Sequence, residues 1–374
     1  MASRLKPPFR ADHVGSLIRP KGLVEARAAK AKGEITDDQL LRVQRTAIRD
    51  VVRRQEDLGL KSVTDGEFNR GTWQTDFVLK IENVQRGEPK FTVRFHNEKG
   101  TTAGRPHASI VVGKMRRPKG IFVDDFKFLK SVAHATPKLT IPSPSVMHFR
   151  GGRHTVDEKA YPDMAEFLSD LSKIYNEEIT DLAAAGCRYL QLDEVNFAYL
   201  CDPTLREEVR TNIGEDPDKL PHTYAKLIND SIAVRPSDMT ICLHICRGNF
   251  AGNWMAEGGY DPVAEVLFNE INADGYFLEY DSVRAGSFEP LRFLPKNKVA
   301  VLGLVTTKKG DLESKDDLKR RIDEASKFVP LEQLALSPQC GFASGIEGAT
   351  MTVEQQFAKL QLVVETAQEV WGTA

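Results

Sequence analysis

Short apolar runs rich in β-branched residues recur along the whole chain, and each of them ends in polar residues. Runs of this length and composition are typical of buried strands. Stretches with helical periodicity lie between most of them, and this alternation indicates parallel β–α–β units. Eight runs predict an α/β fold of the (β/α)8 TIM barrel class, with strands at residues 13–16, 62–67, 139–144, 188–194, 239–246, 275–281, 298–305 and 334–340.

An apolar stripe at helical spacing marks four of the intervening segments as helices. The first follows Thr36 and opens with two aspartates, which suit a helix N-terminus. The second stops at Gly186, a residue type that commonly follows the end of a helix. The predicted helices cover residues 37–58, 165–185, 314–328 and 352–371.

Residues 80–130 do not fit this alternation. The stretch is rich in Arg, Lys, Gly and Pro and contains short alternating pieces at residues 91–95 and 108–113. It is expected to form a β-rich flap inserted between the second and third barrel strands. Its basic character is typical of a solvated surface lobe, with a role in holding substrate as the alternative. Because no linker or repeat interrupts the chain, residues 1–374 are predicted to be one catalytic domain.

Charge, apolar content and cysteine usage exclude several classes of protein. A formal net charge of -2 argues against a nucleic-acid partner. No run approaches the roughly 18 apolar residues of a membrane span, and the first residues lack the apolar segment of a secretory signal. The five cysteines are expected to be reduced in the cytoplasm, with Cys187 and Cys242 as buried small apolar residues. Both a monomer and a homo-oligomer are compatible with this composition.

Polar side chains collect where the predicted strands end, which is where the active site of a (β/α)8 barrel lies. His244 and Cys246 are two residues apart on one strand and therefore face the same side. Glu279 ends the sixth strand, and Cys340 ends the eighth, before a glycine that would allow a sharp turn. One imidazole, two thiolates and one carboxylate suit tetrahedral Zn²⁺, whereas the thiolates argue against Mg²⁺ or Ca²⁺.

These strand ends resemble the catalytic half of cobalamin-independent methionine synthase. The matching pieces follow the same order over nearly the whole chain: Val14-Gly-Ser16, Asp65-Gly-Glu67, Gln191-Leu-Asp193-Glu194, His244-Ile-Cys246, Leu278-Glu279 and Ser337-Pro-Gln-Cys340-Gly341. The resemblance implies the same barrel and a methyltransferase of methionine biosynthesis. It also implies zinc binding by His244, Cys246, Glu279 and Cys340, and homocysteine binding by Ser16, Glu67 and Asp193.

The residues themselves suit an amino-acid thiol. Metal coordination deprotonates a thiol that is mostly protonated at neutral pH. Glu67 and Asp193 would pair with an ammonium group, and Ser16 with the backbone N–H groups around Gly15 could hold a carboxylate. The competing role for the two acids is helix capping or pairing with arginines. Homocysteine is therefore the first choice of substrate.

Further candidates lie just beyond the strand ends. Arg19, Arg70 and Arg150 could clamp an anionic donor or acceptor, although ion pairs with nearby acids are the commoner role. Trp73 and His148 could stack on a flat donor, with a core or rim role as the alternative. Arg19 and His148 are included among the predicted substrate contacts.

The sequence departs from the family on the donor side. Full-length members have an additional N-terminal half that helps to bind polyglutamyl methyl-folate, and they carry a histidine in the loop after the seventh strand. The corresponding loop here, residues 303–310, contains Thr306, Thr307 and Lys308 but no histidine. A methyl-folate, a methylated corrinoid protein or a different methylated metabolite could each supply the methyl group.

Three other functions compete with methyl transfer to homocysteine. Zinc-dependent alkyl transfer to coenzyme M, as in related epoxyalkane transferases, conflicts with Glu67 and Asp193 because coenzyme M has no amine. A metal-free decarboxylase with this fold, as in uroporphyrinogen decarboxylase, would leave Cys246 and Cys340 without a role. A non-catalytic binding or regulatory role would require a degenerate donor site.

Overall fold

Strands and helices alternate along most of the chain in the computed structural model, which describes residues 6–88, 93–97, 100–104, 108–249, 252–346 and 349–374. The strands are β1 (Ser62–Val63), β2 (Glu82–Gly87), β3 (Val93–Asn97), β4 (Gly100–Gly104), β5 (Ala108–Arg116), β6 (Thr136–Pro137), β7 (Leu139–Pro142), β8 (Tyr189–Glu194), β9 (Thr240–Ile245), β10 (Gly275–Glu279), β11 (Val299–Val305) and β12 (Leu334–Pro338).

The α-helices are α1 (Lys21–Ala31), α2 (Asp37–Asp57), α3 (Thr75–Val78), α4 (Val123–Val132), α5 (Val146–Phe149), α6 (Met164–Ala184), α7 (Asn196–Tyr199), α8 (Pro203–Glu208), α9 (Leu220–Ile232), α10 (Asp261–Glu265), α11 (Lys315–Ala325) and α12 (Val353–Trp371). Short π-helical turns continue α8 and α10, and 3-10 turns lie at Gly152–Thr155, Val283–Ala285, Glu289–Phe293 and Leu331–Gln333.

A parallel sheet carries the strand ends of interest. Strands β7 to β12 are hydrogen-bonded neighbours in sequence order. Strand β1 pairs in parallel with β6, and Ala11 makes an isolated parallel bridge to Leu336 of β12. Every residue of β8 and β11 is buried, which is typical of a parallel sheet covered on both faces. The fold is therefore α/β and TIM-barrel-like.

The four predicted helices are confirmed, as α2, α6, α11 and α12, with small differences at their ends. Two of them begin with a capping box, in which a threonine and a glutamine three residues later each accept a hydrogen bond from the other's backbone. These threonines are Thr36 and Thr352. Helices α1 and α9 were not among the predicted helices.

The prediction of a strand at residues 13–16 is wrong. The chain pairs with β12 a few residues earlier, at Ala11. Gly15 has φ 137°, and a Cβ there would lie 2.6 Å from a methyl carbon of Thr140. The backbone therefore leaves the extended conformation at Gly15 and follows a path that only glycine fits. The predicted strand at 62–67 likewise ends early, because Gly66 and Glu67 have φ values of 65° and 61°.

The segment at residues 80–130 contains two antiparallel strand pairs. Strand β2 pairs with β5, and β3 pairs with β4. Both pairs lie between β1 and β6 in the sequence, and α4 occupies the end of the segment. The first two residues of the predicted piece at 91–95 lie outside the described residues.

All five cysteines are free and buried. Cys242 packs in a small apolar cluster with Tyr189 and Phe277, and Cys187 lies in the main core. Among the helices of the described residues, none combines the length and apolar content needed to cross a membrane.

Candidate metal and substrate site

Four side chains meet where β9, β10 and β12 end. His244 lies in β9 and Cys246 directly after it, Glu279 is the last residue of β10, and Cys340 follows β12 by two residues. Their ligand atoms all lie within 4.8 Å of one another, and all four residues are buried. The parallel strands therefore bring together a nitrogen, two sulfurs and a carboxylate oxygen, the set predicted from the sequence.

The donor set fits a metal ion. Neither ring nitrogen of His244 has a hydrogen-bond partner within the part of the chain that the structure describes, although the ring is buried. An unpaired buried polar group costs about 1–3 kcal/mol, a cost that a metal bond would remove. The Cys246 and Cys340 sulfurs are 3.5 Å apart. Two thiolates with an imidazole and a carboxylate favour Zn²⁺ over harder cations.

The Glu279 carboxylate is held by several donors. Its Oε1 accepts a hydrogen bond from the Arg247 backbone N–H at 3.0 Å, and its Oε2 accepts one from Gln339 Nε2 at 3.1 Å. Burial alone would raise the pKa of Glu279, but the positive charges of Lys308 and Arg284 lower it overall. Glu279 is therefore ionised at neutral pH.

The two cluster thiols differ in acidity. A hydrogen bond from the Cys246 thiol lowers the pKa of Cys340 to about 6, against the opposing effect of burial and with help from His244. The same hydrogen bond and burial raise the pKa of Cys246 well above its usual value. Burial also raises the pKa of Cys187 and of Cys201 to about 12. One thiolate is therefore present at neutral pH even without metal.

This difference predicts the thiolate titration of the metal-free protein. The far-ultraviolet absorbance of one thiolate should appear as the pH rises through about 6, well below the usual value of 9.0. Cys340→Ser should remove this transition, and Cys246→Ala should move it upward because the hydrogen-bond donor to Cys340 is lost. Cys187 and Cys201 should not contribute in this pH range, because their pKa values are raised to about 12. A first thiolate that appears only near pH 9.0 would contradict the prediction.

A cavity of about 550 Å³ opens above the cluster. Its lining includes three cluster residues, His244, Cys246 and Cys340, and the three residues predicted to bind the amino acid, Ser16, Glu67 and Asp193. A volume in this range is typical of small-molecule sites. The structure thus places the candidate metal ligands and the candidate substrate ligands around one space.

Two carboxylates face this cavity at close quarters. Glu67 accepts a hydrogen bond from Thr140 Oγ1 at 2.9 Å, while its Oε2 is buried without a partner among the described residues. Asp193 accepts one from Gln191 Nε2 at 2.7 Å. Burial and the Glu67 charge raise the pKa of Asp193 to about 7. Two buried acids in one space are a natural receptor for a cation.

The backbone conformation at Glu67 and at Gly341 positions the side chains that line the cavity. Glu67 has φ 61°, an uncommon value for a residue with a side chain, and its N–H donates to Asp65 Oδ1 at 2.8 Å. Such strain is often found at functional sites. A Cβ at Gly341 would overlap Ser16 Oγ. Gly341 is therefore required by the close approach of the Cys340 loop to Ser16. The sharp turn predicted at Gly341 is not observed, since its φ is not positive.

Arg19 and His148, both predicted to contact substrate, make several contacts with other protein groups. Arg19 donates to the backbone carbonyls of four residues in neighbouring loops, Glu67, Arg70, Ala343 and Gly345. The His148 ring bonds to the Tyr224 hydroxyl at 2.9 Å and lies 3.5 Å from Glu215. Neither residue belongs to the cavity lining. Three of the residues that Arg19 holds, Glu67, Ala343 and Gly345, line the cavity, and the roles of Arg19 and His148 as substrate contacts stay predictions.

The cavity lining also contains residues that were predicted with an alternative role and residues that the sequence did not predict. Trp73 and Arg150 line the cavity, whereas Arg70 bonds to Thr140. Arg86 of β2 and Phe95 of β3 also line it, so the inserted strands contribute to the site. Gln339, which donates a hydrogen bond to Glu279, lies in the Ser-Pro-Gln-Cys motif. Its position directly before the candidate ligand Cys340 is the one sequence feature that could have indicated this role.

The loop after β11 supports the same cluster. Thr307 donates through its N–H and its hydroxyl to Gln339 Oε1 at 2.9 and 2.7 Å. Lys308 Nζ is buried without a hydrogen-bond partner in the described ranges. Thr307 thus acts on Glu279 through Gln339, and Lys308 acts on it through its positive charge.

Fold and site define a TIM-barrel-like α/β protein with a candidate thiolate-rich metal centre at its strand ends. The sequence matches the family described as the cobalamin-independent synthase catalytic domain over residues 9–369. The chain therefore belongs to this family.

Named relatives agree with the assignment. Protein YxjH of Bacillus subtilis is 46% identical over 368 residues, covering 98% of this chain and 96% of that one. A methionine synthase of Saccharolobus solfataricus is 25% identical over 336 residues, covering 88% of this chain and 86% of the other.

Solved structures agree as well. A Listeria monocytogenes protein, named as a candidate vitamin-B12 independent methionine synthase, is 38% identical with a TM-score of 0.77 and covers 99% of this chain and 100% of its own. A B12-independent methionine synthase from a Shewanella species is 21% identical with a TM-score of 0.72, covers 96% of this chain and 97% of its own, and shares the fold.

Proposed function

We propose that this protein is a zinc-dependent S-methyltransferase that methylates homocysteine to form methionine. The observation that carries the proposal is one cavity lined both by the thiolate-rich cluster and by two buried carboxylates. His244, Cys246, Glu279 and Cys340 would hold the ion. Bound Zn²⁺ supplies a thiolate nucleophile at neutral pH by deprotonating a coordinating thiol.

The chain's own residues would orient the amino acid. Glu67 and Asp193 would pair with its ammonium group, and the unpaired Oε2 of Glu67 is available for that contact. Ser16 and the backbone around Gly15 would hold its carboxylate. Burial of these groups excludes water and strengthens each ionic contact. Fixing both polar ends directs the thiol toward the cluster on the same cavity wall.

Glu279 would be the exchangeable ligand of the four. Its two oxygens accept hydrogen bonds from the Arg247 N–H and from Gln339, so the carboxylate would have partners with or without a metal bond. The two cysteines and His244 would remain in place. X-ray absorption of the zinc with and without thiol tests this, and an unchanged ligand set would refute it.

The architecture proposed for this activity is a single (β/α)8 barrel over residues 1–374. Ala11, β1 with β6, and the sheet β7 to β12 would form its wall. The strands between residues 80 and 130 would act as a flap, since Arg86 and Phe95 reach the cavity. A methyl-folate or a methylated corrinoid protein would supply the methyl group through the same opening.

Coenzyme M is the second candidate acceptor. It shares the thiol chemistry but carries a sulfonate and no amine, so the Glu67 and Asp193 pair would repel it at neutral pH. A metal-free decarboxylase is disfavoured because the buried cluster of His244 and two thiols would have no role.

Metal analysis and calorimetry test the proposal. Freshly purified protein should contain nearly one zinc per chain and should bind homocysteine more tightly than coenzyme M. Protein stripped by a chelator should lose thiol binding and regain it with Zn²⁺ but not with Mg²⁺. A protein purified under metal-replete conditions that holds no zinc would refute the proposal.

A further inference from the structure

Arg284 is a buried arginine on the loop after β10, with its side chain 8% exposed. Its Nη2 lies 2.6 Å from Asp281 Oδ1 and 3.6 Å from Glu279 Oε2. Its Nη1 donates to Ser282 Oγ at 2.8 Å. The Arg284 guanidinium thus pairs with two buried carboxylates, and its shorter contact is with Asp281, which lies outside the candidate metal cluster.

The same guanidinium lies over an aromatic ring. Its carbon is 4.9 Å from the centroid of the Trp254 ring, within the range of a cation–π contact. The Gly258 N–H donates to the Arg284 carbonyl at 2.9 Å, so the backbone of the two loops is also joined. The position of Arg284 therefore depends on where Trp254 lies.

Trp254 is in turn attached to the inserted strands. Its N–H donates to the His96 carbonyl at 3.0 Å, and the His96 N–H donates to the Trp254 carbonyl at 2.7 Å. Asn97 Nδ2 donates to Asn253 Oδ1 at 2.6 Å. Strand β3, which places Phe95 on the cavity, is thus bonded to the residue that packs on Arg284.

The loop around Trp254 also meets the cluster from the β9 side. The N–H groups of Met255 and Ala256 donate to the Arg247 carbonyl at 2.9 and 3.1 Å. The Arg247 N–H donates to Glu279 Oε1. Glu279 is therefore linked to this loop by two routes, through Arg247 on one oxygen and through Arg284 on the other.

We propose that Arg284 is a positioning residue that draws Glu279 away from the metal and links this carboxylate, through Trp254, to strand β3. The inference rests on the proposed zinc function. A buried cation at 3.6 Å competes with the metal for the carboxylate, and Asp281 competes with Glu279 for that cation. The balance sets how readily Glu279 gives way to a thiol.

Arg284→Met tests the first half of the inference, because methionine keeps much of the packing on Trp254 and removes the charge. Zinc release to a chelator should become about tenfold slower, and homocysteine should bind about tenfold more weakly, the scale of effect of residues that support a ligand. Arg284→Lys, which keeps the charge, should restore most of both values. A loss of structural support would instead speed zinc release.

Asp281→Asn should change zinc release in the opposite direction, because Glu279 would then be the only carboxylate of the two that pairs with Arg284. Zinc release should become about tenfold faster. Arg292→Met is the matched control, since Arg292 also pairs with two acids, Asp261 and Glu289, and lies 4.4 Å from the Phe293 ring outside the cavity. It should leave both measurements unchanged.

Hydrogen exchange of the metal-free protein tests the link to β3. Methionine keeps the apolar packing but not the cation–π contact with Trp254, so the His96 and Trp254 amides should exchange faster in Arg284→Met than in Arg292→Met. The inference is overturned if Arg284→Met and Asp281→Asn change zinc release in the same direction, if both behave like the control, or if these amides are unaffected. Wild-type protein that holds no zinc would instead refute the proposed function itself.

Discussion

Cys340→Ser is expected to lose zinc and methyl transfer together. Cys340 is buried at 4% exposure, its sulfur is 3.5 Å from that of Cys246, and the hydrogen bond from Cys246 lowers the pKa of the Cys340 thiol. A serine hydroxyl does not ionise near neutral pH and is a poor zinc ligand. Zinc affinity should fall by more than about 100-fold, beyond the range for residues that only support a ligand.

The measurement is zinc content after dialysis against a competing chelator, with methyl transfer measured on the same samples. Cys187→Ser is the matched control, because Cys187 is also a fully buried thiol but bonds to the Tyr189 carbonyl outside the cluster. It should keep its zinc and its activity, with only a modest loss of stability. Equal zinc retention by both variants would rule out Cys340 as a ligand.

Glu67→Gln is expected to weaken homocysteine binding while zinc stays in place. The substitution removes one of two carboxylates that face the cavity and leaves the ammonium group of the substrate with a single acid partner. Truncating one member of a buried charge pair costs about 2–5 kcal/mol, which corresponds to at least about 30-fold in Kd. Calorimetry at fixed zinc occupancy measures this change.

The matched control for this prediction is a second thiol compound that lacks the amine. A thiol of the same length with a carboxylate but no amine should bind Glu67→Gln at least as tightly as wild type, because it has no ammonium group to pair with Glu67 and its own negative charge is repelled by that carboxylate. If the variant loses affinity for both thiols equally, Glu67 supports the cavity and does not read the ammonium group.

Asp193 gives this binding a pH dependence. Its pKa is raised to about 7, so its carboxyl loses its charge as the pH falls through that value. Homocysteine binding should therefore weaken below about pH 7 in the wild type. In Glu67→Gln the neighbouring negative charge is gone, and the same inflection should move to lower pH.

The helices show how local signals fix local structure. Thr36 and Thr352 each form a capping box, and the apolar stripes behind them extend to the observed helix ends within a few residues. These features depend on neighbours in the sequence and need no knowledge of the fold. The same holds for β8 to β12, whose apolar runs are long enough to be recognised.

The first strands show where such signals fail. Residues 13–16 contain the β-branched Val14, but Gly15 bends the backbone because Thr140 of β7 occupies the space beside it. That contact joins segments far apart in the sequence, and no local pattern reports it. The same applies to the inserted strands, whose contribution of Arg86 and Phe95 to the cavity depends on how they fold back.

The sequence alone determined the candidate ligand types and their places at strand ends, because residue spacing on a parallel strand fixes which side chains share a face and an edge. Only the tertiary structure decided which cations and donors surround them. Arg19, a predicted substrate contact, donates to the backbone carbonyls of Ala343 and Glu67, and Arg284 and Gln339 lie against the Glu279 carboxylate. Long polar side chains reach several neighbours, so their partners depend on loop packing and not on sequence position.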